Sequence, residues 1–241
     1  AVILYFRHDI IRILGAWFGS LFGKEGKDFK SRMGAHNPDT QMGWFIILGT
    51  MPILIAGLLF KHAIEGSLRN LWITVTVLAL FGVLLWVVDA RSKQVKTMKE
   101  MTWKDALIFG IGQMLALIPG VSRSGGTITF GRAMGYTREA AVRVSFLMAI
   151  PAVFGAGILE AVSAVKDVAA GDAGMFPGWG PTIAAAIVAF VVGYVVIIGF
   201  LKFVSTFSYK AFAIYRIGLA IVVALLLITG VLSPLEAAAA A

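Results

Sequence analysis

The residues best suited to chemistry are nine in a row: Pro119-Gly120-Val121-Ser122-Arg123-Ser124-Gly125-Gly126-Thr127, set between apolar segments. A guanidinium does not titrate in the physiological range and presents a planar fork that matches phosphate oxygens. Ser122, Ser124 and Thr127 each add a hydroxyl donor. Gly120, Gly125 and Gly126 allow backbone N–H groups to come close to a ligand, and an anion is the ligand those groups suit. If a loop leads here into a helix, Ser124, Gly125 and Gly126 lie at its N-terminus, where orphan N–H groups and the helix dipole favour negative charge. The set is made to hold a diphosphate and to stabilise charge that develops in phosphoryl transfer. Arg123, Ser122 and Ser124 are the catalytic candidates; Gly120, Arg123, Ser124, Gly125, Gly126 and Thr127 are the diphosphate-binding candidates. The competing account is structural: small residues let helices pack closely, while Arg123 snorkels or pairs with a carboxylate.

The elements that must position this run are membrane helices. The chain has 241 residues, of which 59% are hydrophobic and 14% charged, whereas soluble domains are about 45–50% apolar and about 25% charged. The expected fold is an all-α polytopic integral membrane protein with about six apolar helices and a re-entrant helix-loop-helix. Met51-Pro52 and Ile150-Pro151 hint at an inverted repeat, with two kinked helices as the simpler account. One transmembrane domain covers residues 1–234, and Leu235-Glu236 with the alanines after it reads as a vector scar or tag. Residue 1 is not Met, and Ala1–Phe6 reads as the tail of an apolar helix. Candidate spans are Gly43–Phe60, Leu71–Val88, Val144–Val162, Thr182–Leu201 and Ile217–Leu232. Ala106–Ile118 is too short to cross.

Charge orients these spans. The excess of 21 Lys and Arg over 13 Asp and Glu follows the positive-inside rule, with Lys24, Lys27, Lys30 and Arg32, the Arg91–Lys104 group, and Lys202, Lys210 and Arg216 in the cytoplasm. Ser163–Gly180 then lies outside. On that orientation the segment from Asp105 to Arg143 is expected to enter from the cytoplasm, turn at Pro119–Thr127 and return; the rival, a full crossing, would leave Arg132, Arg138 and Arg143 outside. Thr137 is the expected N-cap of the following helix, with Glu139 in its first turn. Basic residues spread over membrane-flanking loops give no nucleic-acid patch. With no cysteine, disulfides and thiolate metal sites are excluded.

Two further residues are secondary candidates. Gln113, on the short helix entering the motif, caps or hydrogen-bonds within the hairpin; Arg132 pairs with a phosphate or a lipid headgroup. Structural roles compete evenly with both. Arg216 reads as a cytoplasmic anchor at the start of the last helix. His8, His36 and His62 read as surface residues. No carboxylate pair stands at i, i+3 or i+4 within an apolar helix, so neither a base nor metal ligands are identifiable.

The run Leu115–Thr127 resembles the P-G-x-S-R-S-x-x-T signature of bacterial undecaprenyl-diphosphate phosphatases, the bacitracin-resistance family. Ser145–Pro151 and Phe212–Arg216 resemble further segments of that family, so the likeness covers nearly the whole chain. It implies hydrolysis of undecaprenyl diphosphate to the monophosphate and inorganic phosphate, recycling the lipid carrier for cell-wall synthesis in the bacterial inner membrane. It also implies an inverted repeat, a divalent cation, Mg2+ or Ca2+, and competition with bacitracin for the lipid; a homodimer is an assembly to consider. By position, Arg123 binds the diphosphate, while Ser122, Ser124 and Thr127 line the pocket. The family has an earlier hairpin with an E-x-x-x-E element, a serine-rich loop and Gly-His. No segment of residues 1–241 matches it, and on that ground these residues alone are expected to be inactive. The alternative reading is a polyprenyl-phosphate transporter or flippase that uses the same anion site without hydrolysis.

Overall fold

The structure, a computed structural model, describes residues 1–169 and 178–234. All its regular elements in that range are helical: α1 (Val2–Tyr5), α2 (Arg7–Leu21), α3 (Phe29–Arg32), α4 (Pro38–Leu59), α5 (Lys61–Glu65), α6 (Leu71–Arg91), α7 (Trp103–Met114), α8 (Arg123–Ala133), α9 (Arg138–Ala169), α10 (Trp179–Thr206) and α11 (Lys210–Ile228). Five of them, α4, α6, α9, α10 and α11, are long and apolar enough to cross a membrane. The chain is thus an all-α, multi-pass membrane protein. The outer faces agree: along α10, Ile183, Ile187, Val191, Val195 and Ile198 are exposed, a continuous apolar stripe that lipid covers and water would not. Residues 235–241, read above as a scar or tag, lie outside the described residues.

The helices that surround the motif begin on polar caps. The Asn37 side chain accepts from the N–H of Asp39 and Thr40, with Pro38 at the first helical position of α4, and Asn70 accepts from Trp72 at the head of α6. Thr102 and Asp105 form a reciprocal capping box on α7, satisfying two donors that would otherwise be orphaned near the bilayer. Thr137 accepts from the Ala140 N–H and starts α9, as expected. The ends of the spans extend past the sequence reading: α10 starts at Trp179 and α11 at Lys210.

Helices α7 and α8 form the hairpin. At 12 and 11 residues they are about 18 and 16 Å long, too short for a hydrocarbon core of roughly 30 Å. Its two ends meet at one level. Tyr136, just after α8, donates its hydroxyl to Asp105 in the first turn of α7 at 2.9 Å. The Thr137 N–H donates to the Lys96 carbonyl, and the Lys96 N–H to the Gly135 carbonyl. The segment therefore goes in and comes back, as the charge pattern predicts. Its tip is deep. Gly120 sits so close to α6 that a Cβ there would lie 2.4 Å from the Thr74 carbonyl. Thr74 is fifteen residues up α6 from Asp89 at the hairpin's base, about 22 Å along the helix.

Candidate functional site

The tip is a 3-10 turn, Leu115–Leu117, followed by Pro119-Gly120 and the head of α8. Gly120 holds φ +98°, a left-handed conformation that glycine adopts without steric cost. Ser122 also has a positive φ, +66°, which is strained for a residue with a Cβ. That strain places Ser122 at the N-cap of α8, where its Oγ accepts from the Gly125 N–H at 3.3 Å. The next two N–H groups, of Arg123 and Ser124, have no partner among the described residues. Ser122 is exposed, and Arg123, Ser124 and Gly125 are half-buried, so this first turn is the open face of the motif.

Arg123 lies on a cavity of about 530 Å³ whose other lining side chains, including Ile150, Val153, Phe154 and Ile158 of α9, are apolar. Its guanidinium has no hydrogen bond or ion pair among the described residues. A guanidinium half-buried in an apolar cleft is expensive unless an anion meets it. The unpaired N–H groups beside it point to the same class of ligand.

The remaining motif residues face protein. A Cβ on Gly126 would lie 2.4 Å from the Gly112 carbonyl, and one on Gly125 would lie 2.6 Å from Arg216 Nη1. With Gly120 against Thr74, the three glycines admit α7, α11 and α6 respectively. Thr127 is fully buried and its hydroxyl donates to the Arg123 carbonyl at 2.7 Å, turned back on its own helix. Gln113 is also fully buried, and both its amide atoms lack a partner among the described residues.

Arg132 belongs to a different cluster, two and a half turns further along α8 at the hairpin's base. It is fully buried, and its Nε donates to Asp89 at 2.8 Å. Arg138 donates to the same carboxylate through Nε and Nη2, each at 3.0 Å. The Tyr209 N–H adds a fourth contact at 3.1 Å. One carboxylate thus ties together α6, α8, α9 and the turn before α11. Beside it, Asp105 accepts from Tyr136 and Thr102 and faces Lys96 at 3.5 Å. Burial works to raise the Asp105 pKa, but the Tyr136 and Thr102 hydrogen bonds and the Lys96 charge bring it below the usual value.

Arg216 was not among the sequence candidates, and the anchor role expected of it is not what the structure shows. Because α11 begins at Lys210, Arg216 lies nearly two turns inside the helix. It is 8% exposed and donates through Nη2 to the Gly120 carbonyl. The signal in the sequence is an arginine within an apolar helix, masked because hydropathy alone starts that helix at Ile217 and not at Lys210. His8, His36 and His62 are exposed, as expected. Among the described residues no group of three or more His, Asp or Glu could hold a metal ion; the tip offers donors, which suit an anion.

A family profile described as "Bacitracin resistance protein BacA" matches residues 1–222, a range that takes in the hairpin, the Asp89 cluster and Arg216. The chain belongs to the BacA family. A relative from Bifidobacterium adolescentis named "Undecaprenyl-diphosphatase" is 91% identical over 241 residues, all of this chain and 82% of that protein. Relatives of the same name from Bifidobacterium animalis subsp. lactis and Pseudarthrobacter chlorophenolicus are 75% and 51% identical over 98% and 97% of this chain, covering 79% and 80% of their own lengths. In this BacA chain the residues that face open space at the hairpin tip are the Ser-Arg-Ser core of the motif.

Proposed function

We propose that the protein hydrolyses undecaprenyl diphosphate to undecaprenyl phosphate and inorganic phosphate, in the cytoplasmic membrane of a bacterium. The observation that carries this reading is Arg123: a guanidinium without a carboxylate, beside two unpaired N–H groups at a capped helix N-terminus, opening on an apolar cleft. A polyprenyl diphosphate has the matching parts, an anionic head and an isoprenoid tail. On this reading the head sits against Arg123 and the first turn of α8, and the first isoprene units lie along Ile150, Val153 and Phe154.

The chemistry breaks the P–O bond between the terminal phosphorus and the bridging oxygen, while a water-derived oxygen joins that phosphorus. Arg123 and the N–H groups of Arg123 and Ser124 stabilise the negative charge that grows on the departing lipid phosphate. The Ser122 hydroxyl, exposed and free to donate while its lone pair caps Gly125, orients a phosphate oxygen. A divalent cation is part of the proposal on the family resemblance alone. The described residues do not fit one. Bacitracin is expected to compete for the same lipid diphosphate. Translocation without hydrolysis is the weaker reading, since the relatives carry the name of a hydrolase.

The test is phosphate release from undecaprenyl diphosphate by full-length protein in detergent, with Mg2+, Ca2+ or EDTA. Arg123→Ala is expected to lower turnover about 10²–10³-fold, the cost of one transition-state donor, in protein that still folds; EDTA is expected to stop turnover. No phosphate release by folded wild type with either metal would overturn the hydrolase reading.

A further inference from the structure

Two arginines approach the head of α8, and the motif contains only one of them. Arg216 comes from α11, 96 residues beyond Gly120, and its path is cleared by glycine on both sides. On α6, a Cβ at Gly82 would lie 3.3 Å from the Arg216 Cβ; on α8, one at Gly125 would lie 2.6 Å from Nη1. Gly125 is thus a place through which a second cation is admitted to the first turn of α8.

The guanidinium is incompletely satisfied. Nη2 donates to Gly120, while the buried Nε has no partner among the described residues, and no carboxylate pairs with Arg216 there. The hairpin's base shows how this fold neutralises a buried arginine when the charge is structural: Asp89 meets Arg132 and Arg138 together. Among the described residues nothing equivalent meets Arg123 or Arg216: Arg123 opens the first turn of α8, and Arg216 reaches Gly120 and Gly125 on either side of it in sequence. An arginine taken out of water without a carboxylate is costly unless an anion meets it, and two such arginines flank the head of this one helix.

We propose that Arg216 is a second substrate-binding cation, so that Arg123 and Arg216 take one phosphate each of the lipid diphosphate; this rests on the diphosphatase reading. The arrangement selects for two linked phosphates. A monophosphate engages Arg123 alone and gains little from Arg216, which favours release of the product.

The experiment measures binding of two probes to full-length protein in detergent: farnesyl methylenediphosphonate, which cannot be hydrolysed, and farnesyl monophosphate. Wild type is expected to prefer the diphosphonate. Arg216→Gln is expected to weaken the diphosphonate about 10- to 100-fold, the range for one charge-assisted contact, and to change the monophosphate less than about threefold. Arg216→Lys is expected to recover part of the loss. Gly82→Ala, whose Cβ on α6 would lie 3.3 Å from the Arg216 Cβ, shifts Arg216 without removing it; it is expected to show a smaller loss of the same selectivity and serves if Arg216→Gln does not fold. Equal weakening of both probes, or no weakening of either, overturns the proposal while leaving the diphosphatase reading intact. A wild type with no preference for the diphosphonate overturns that reading itself.

Discussion

Buried arginines come in two kinds here, and the difference separates stability from function. Arg132 is buried and paired, so removing its partner strands a charge. Asp89→Ala is expected to destabilise the protein by about 3–5 kcal/mol, measured by thermal or denaturant unfolding in detergent. Arg123→Ala orphans no partner among the described residues and is expected to unfold close to wild type. If Asp89→Ala melts like wild type, the cluster at the hairpin's base is not holding the helices together. The sequence made Arg123 conspicuous because a fixed charge between serines in an apolar run has few structural uses. It left Arg132 ambiguous, because the carboxylate that neutralises it is 43 residues away and no local spacing reveals that pairing. The same distance problem hid Arg216, whose contacts on α6 and α8 exist only once the helices are assembled.

At the scale of elements, the hairpin was legible from its length, its Pro-Gly break and the basic residues at both ends. What it packs against was not. Gly110 lies against α4, where an added Cβ would sit 2.4 Å from the Gly49 carbonyl, and Gly126 meets Gly112 as closely. These are backbone-to-backbone contacts, so a methyl group has no flexible side chain to displace. Gly110→Ala and Gly126→Ala are expected to cost about 1–3 kcal/mol each by overpacking. Gly57→Ala and Gly218→Ala, whose Cβ positions are open, are expected to stay within about 0.5 kcal/mol of wild type. Melting temperatures of the four variants in one detergent check this; a uniform effect would mean that glycine matters here through backbone freedom and not through contact. For the motif glycines the sequence offers two uses, room for a ligand and close helix packing. In the structure they are room for neighbouring helices, and the open surface is left to Ser122, Arg123 and Ser124.

For the whole molecule, the Asp89 cluster and the Asp105–Tyr136 contact put the end of α6, both ends of the hairpin and the heads of α9 and α11 at one level. By the positive-inside rule that level is expected to be cytoplasmic. Since the chain has no cysteine, single cysteines can report it without background. A cysteine replacing Lys93 is expected to react with an impermeant maleimide only in inverted vesicles, and one replacing Ser67 only in intact cells; the reverse pattern would invert the orientation. Loop charge carries an expected orientation, which the labelling tests, whereas helix ends are not readable from the sequence, because hydropathy fades gradually where α10 and α11 meet the interface. The depth of the tip has a mechanical corollary. Glycine contacts clamp the hairpin to α4 through Gly49 and to α6 through the Thr74 carbonyl, leaving no slack for a piston stroke. On the proposed function the lipid headgroup must therefore travel to Arg123, held near the far end of α6: the hairpin tip acts as a dock, not a shuttle.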